Sequence, residues 1–122
     1  MVYNTLAPRE AIDATIKSLN EKHIEALLVE TGSDALEKIK DFIPVGASVM
    51  NGSSRTLEQI GFVDYLKSGT HGWNNLHEAI LEEKDPEKQS LLRKQSVLSD
   101  YYLGSVHGFS QTGEFVIASN TG

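Results

Sequence analysis

The stretch Asn51-Gly52-Ser53-Ser54-Arg55-Thr56 holds the densest set of groups able to do chemistry in this chain. It follows the apolar run Ala47-Ser48-Val49-Met50 and leads into Leu57, Ile60 and Val63 at helical spacing. It therefore reads as a turn from a strand into a helix. Free N–H groups at a helix start carry partial positive charge and suit phosphate or carboxylate. Gly52 lets a ligand approach the backbone, Ser53 and Ser54 can donate to anion oxygens, and Arg55 offers a fork of donors. The plainer reading of the same residues is that Ser54 caps the helix and Gly52 permits the turn. The stretch is not a Walker loop, because the spaced glycines and the lysine are missing.

The histidines come next. His71 and His77 stand six apart with Glu78 adjacent, a spacing that matches no common zinc pattern, so both read as surface or partly buried side chains and no metal is expected. His107, in Gly104-Ser105-Val106-His107-Gly108, follows a strand candidate. It either opens onto the same crevice as the Asn51–Thr56 turn, where an imidazole suits proton transfer, or is a hydrogen-bonded turn residue. His23 needs no role. Trp73, Tyr101 and Tyr102 read as core or interface aromatics, and Glu114 as a solvent-exposed carboxylate. No catalytic set can be fixed from these residues.

Composition narrows the classes. Seventeen acidic against 11 basic residues give a formal charge of −6 with no basic stripe, which argues against a nucleic-acid surface. An anion would have to be held by local dipoles and one or two cations. There are no cysteines, which removes thiol nucleophiles, thiolate-bound zinc and cysteine-held iron–sulfur clusters. No cofactor of its own is expected, and any electron transfer would fall to another subunit. Met1–Glu10 has no signal pattern and no apolar run approaches the ~20 residues of a membrane span, so the expectation is a cytoplasmic protein that does not engage membranes.

The elements that must position these groups follow from periodicity. Pro8 opens a helix with Ile12, Ile16 and Leu19 on one face. Ala26-Leu27-Leu28-Val29 reads as a strand covered on both faces. Thr31–Asp34 caps a helix carrying Ala35, Leu36, Ile39 and Phe42, which Pro44 and Gly46 end. With the strand at Ala47–Met50 this makes a βαβ unit. One helix through Leu57, Ile60 and Val63 is broken at Ser68–Gly72. Trp73, Leu76 and Ile80 mark a short helix, and Asp85-Pro86-Glu87 starts another carrying Leu91, Leu92 and Leu98. Tyr101–Val106 and Glu114–Ala118 complete a four-strand sheet around a turn at His107–Gly113. Ser119–Gly122 reads as a loop about to cap a further helix, which would leave strand edges and helix-binding faces exposed. Self-association into a homo-oligomer is the expected remedy.

Two stretches, Ala47–Gly61 and Asp100–Gly108 continuing through Thr112–Ser119, resemble the LUD-domain family, which includes the lactate-utilisation protein C type. Asn74-Asn75-Leu76 and the Lys88–Leu98 helix fit as well. The resemblance implies an α/β, three-layer Rossmann-like sheet with flanking helices, related to sugar-phosphate isomerases and CoA transferases. It implies one LUD-type domain over residues 1–122 whose later strands follow Gly122, so the sheet would be incomplete at the C-terminus. It also implies an accessory role in oxidising L-lactate to pyruvate beside iron–sulfur partner proteins. By the same resemblance Asn51, Gly52, Ser53, Ser54, Arg55 and Thr56 line the ligand crevice, and Gly104, Ser105 and His107 face it. The glutamate that does covalent work in CoA-transferase relatives has no counterpart in Ser110-Gln111-Thr112-Gly113, so thioester chemistry is not expected. The alternative is an enzyme or sensor that binds a small anionic metabolite bearing phosphate or carboxylate.

Overall fold

The structure, a computed structural model, describes residues 5–118. The loop expected at Ser119–Gly122 lies outside them. The chain divides into two compact units, Glu30–Ser105 and the pairing of Met1–Val29 with Val106–Gly122.

Helix α1 (Arg9–Glu21) belongs to the other unit, and the Glu30–Ser105 unit opens with a helix followed by strands and short helices. Helix α2 (Gly32–Phe42) begins where the Thr31 hydroxyl accepts the Asp34 N–H at 3.1 Å, the cap expected from sequence. Leu36 and Ile39 turn toward the core, whereas Phe42 stays exposed. Strand β1 (Ser48–Asn51) is the centre of a three-stranded parallel sheet, with β2 (Asn74–Asn75) on one side and β3 (Tyr101–Leu103) on the other. Along β1 exposure alternates, so Val49 and Asn51 are buried while Ser48 and Met50 are half-buried. Val49, Leu57, Phe62 and Trp73 centre the core, and the Trp73 indole N–H donates to the Ile43 carbonyl at 3.1 Å.

The start of the β1–β3 pair is clasped by Ser48 and Asp100. The Asp100 carboxylate accepts the Ser48 N–H (2.9 Å) and hydroxyl (3.0 Å), and the Ser48 oxygen accepts the Asp100 N–H (2.8 Å). These donors hold the Asp100 carboxyl below its ordinary value.

Several expectations are corrected. The helix read through Leu57, Ile60 and Val63 is two, α3 (Arg55–Gln59) and α4 (Phe62–Lys67), because Gly61 takes φ +86 between them. Trp73 lies outside the next helix, α5 (Leu76–Glu82), and Asn74–Asn75 forms a strand that two polar residues did not announce. Helix α6 (Pro86–Gln95) starts as expected, with Asp85 accepting the Lys88 N–H, but buries none of its residues.

In the other unit, α1 carries Ile12, Ile16 and Leu19 on one face, and only Leu19 is fully buried. Ala26–Val29 is not a strand: it pairs with none among the described residues, and Leu27 and Leu28 are exposed. Among the described residues no strand lies alongside this run, so the βαβ unit expected to begin at Ala26 does not form there. Nor do the described residues form a four-strand sheet. β4 (Gly108–Phe109) and β5 (Phe115–Val116) make a separate antiparallel pair, shorter than the Glu114–Ala118 strand expected. Its turn is tied to α1: Lys22 donates to the Thr112 carbonyl (2.7 Å) and Ser18 to the Gln111 carbonyl (2.7 Å).

Candidate functional site

The carboxyl ends of β1 and β2 open into a cavity of about 430 Å³ within the Glu30–Ser105 unit, a size suited to small molecules. Three segments build it. The turn after β1 supplies Asn51, Gly52, Ser53 and Ser54; α3 and α4 supply Glu58, Val63, Leu66 and Lys67; the end of β2 with α5 supplies Asn75, His77, Glu78 and Leu81. Position beyond the carboxyl ends of parallel strands is where ligands of open α/β sheets collect.

Asn51 is the last residue of β1 and shares a face with Val49, so the pleat that buries a core valine buries an amide two residues later. Its Nδ2 donates to the Gly52 carbonyl at 3.4 Å, and the reverse orientation would set two carbonyl oxygens facing each other. Its Oδ1 is buried and has no hydrogen-bond partner among the described residues. The Nδ1 of His77, on the first turn of α5, is in the same condition. Two such atoms lining one cavity are unusual, because buried polar groups are nearly always paired.

Ser54 follows the capping alternative: its hydroxyl oxygen accepts the Leu57 N–H at 3.1 Å and its hydroxyl donates to Ser105 at 2.8 Å. That pair closes the gap between the turn after β1 and the end of β3, where the Gly52 N–H also donates to the Leu103 carbonyl. A Cβ on Gly52 would stand 2.5 Å from the Tyr102 hydroxyl, which explains the absence of a side chain there.

The other residues singled out from sequence are placed elsewhere. Arg55 and Thr56 are exposed on the first turn of α3 and do not line the cavity. Gly104 is exposed just beyond β3, with Ser105 bonded to Ser54. His107 belongs to the other unit, where its Nδ1 accepts the Ala118 N–H at 3.0 Å, the turn-histidine alternative. His71 stacks on Trp73 (5.6 Å between rings) and accepts the Trp73 N–H. No group of three or more His, Asp or Glu placed to hold a metal occurs among the described residues. Sequence reasoning gave no place in this site to His77, Asn75, Glu58, Lys67 or Glu78. The Asn75 cap, whose Oδ1 accepts the Glu78 N–H, marks the start of α5 but does not reveal that its first turn packs against β1.

A second and larger hollow, about 710 Å³, lies in the other unit between α1, Ile24–Leu28 and the aromatic pair Phe109 and Phe115. Its lining is largely apolar and offers chemistry little purchase. No helix among the described residues is long and apolar enough to cross a membrane.

Searches of curated proteins and of solved structures returned no match. A family model described as LUD domain matches residues 12–122, which takes in the turn after β1, the cavity and the β4–β5 pair. LUD domains are found in lactate-utilisation proteins. With a mixed α/β fold, a small parallel sheet and a polar cavity at its strand ends, the chain belongs to the LUD-domain family.

Proposed function

We propose that this chain is an accessory subunit in the oxidation of L-lactate to pyruvate, working in the cytoplasm beside iron–sulfur partner proteins. The observation that carries the reading is the LUD-domain match over residues 12–122. The absence of cysteine supports the division of labour, since an iron–sulfur cluster needs thiolates that this sequence lacks. The parallel sheet with order β2-β1-β3 is in keeping with a three-layer Rossmann-like arrangement. Deleting the gene should abolish growth on L-lactate as sole carbon source and leave growth on pyruvate intact. Unchanged growth on lactate would remove the proposal.

The cavity favours a second reading, an enzyme or sensor for a small metabolite bearing phosphate or carboxylate. Lys67 is the cation in the lining, Ser53 adds a hydroxyl, and Arg55 stands outside it on α3. Inorganic phosphate or acetate that protects this cavity, and loses its effect in Lys67→Ala, would favour this reading. An acid that binds with Lys67 removed would count against it.

A further inference from the structure

Asn51 and His77 present a conflict between stability and burial. Each keeps a polar atom out of water without a partner among the described residues, and such an atom weakens the fold because its desolvation is not offset by a hydrogen bond. A leucine at 51 would have the same branched heavy-atom shape and would continue the apolar face that Val49 begins. Polar groups held at such a disadvantage fit a task performed with a bound molecule, where stability has been traded for recognition. Both residues line the same cavity.

The chemistry of the two atoms narrows what they recognise. Asn51 Oδ1 only accepts, so its partner must bring a hydrogen. His77 Nδ1 donates or accepts according to tautomer. A hydroxyl, which gives one hydrogen and offers two lone pairs, satisfies the first atom and either state of the second. A bare phosphate or carboxylate oxygen has no hydrogen for Asn51, and Glu58 and Glu78 in the lining oppose an anion at close range. Lys67 is available for an anionic end of the same molecule. We infer that this cavity takes a hydroxyl-bearing small molecule, with the hydroxyl read by Asn51 and His77. The inference rests on the reading of the cavity as a small-molecule site.

The test uses matched pairs differing in hydroxyls, glycerol 3-phosphate against propyl phosphate and glycerate against propionate, titrated into the full chain by calorimetry. The hydroxylated member of each pair should bind at least about tenfold more tightly, since a site built to hydrogen-bond a hydroxyl rejects the analogue lacking it. Asn51→Leu and His77→Phe should erase that preference while leaving the melting temperature unchanged or higher, which a structural hydrogen-bonding role would not allow. Equal binding within both pairs, or tighter binding of 3-aminopropyl phosphate, would overturn the hydroxyl assignment and leave the site standing. Binding by no compound would overturn both. A lowered melting temperature in both variants would show that the two groups are structural.

Discussion

At the scale of single residues, polar groups in this chain are either tied into turns or left waiting at the cavity. Glu114 is the clearest of the first kind. Its carboxylate accepts from the Ser110 and Thr112 hydroxyls at the β4–β5 turn and lies 3.9 Å from the Lys22 ammonium. The two hydroxyls, then the Glu114 backbone and Lys22, favour the charged form and bring its pKa from 4.5 to about 2. The folded value is the depressed one, so the contribution to stability is fully present above about 4.5 and is lost as pH falls toward 2. Carbon-detected NMR titration should give Glu114 a midpoint well below 4.5. A midpoint near 4.5 would show that the turn does not hold the carboxylate. Asn51 and His77 are of the second kind, and no rule of composition separates them from ordinary core and surface residues.

At the scale of elements, short helices set the site, and glycine decides where they break. Helices α3 and α4 meet at Gly61 with φ +86, which turns α4 so that Val63, Leu66 and Lys67 reach the cavity. A Cβ there meets only ordinary contact with Leu36, 3.6 Å away, so Gly61→Ala is strained in its backbone and not in its packing. The substitution should destabilise by about 1–2 kcal/mol in chemical denaturation. An unchanged midpoint would mean that the left-handed turn is not kept. Much of this level was legible in sequence. Caps at Thr31, Ser54 and Asp85 announce themselves because a side-chain oxygen is followed at once by helical spacing. Strand β1 and the turn after it were legible for the same local reason. What was not legible depends on distant partners. Ala26–Val29 has the composition of a buried strand but no neighbour to pair with, and Asn74–Asn75 has none of that composition yet is held in the sheet by β1. The candidate site divided likewise: the half on the β1 turn could be read, and the half on α4 and α5 could not, because tertiary packing alone brings it there.

At the scale of the whole molecule, the apolar surface left uncovered is considerable. Leu27, Phe109, Phe115 and Ile117 are all exposed, and a monomer rarely leaves such a surface to water. We therefore keep self-association as a proposal: light scattering should report a species larger than 13.4 kDa, and a clean monomer at high dilution would refute it. The location of the ligand site is open to measurement by backbone and side-chain NMR shifts of the full chain titrated with glycerol 3-phosphate. Saturable shifts should gather at Asn51–Ser54, Asn75, His77 and Glu78. Shifts gathered instead along α1, Ile24–Leu28 and Phe109, or none at saturation, would contradict it.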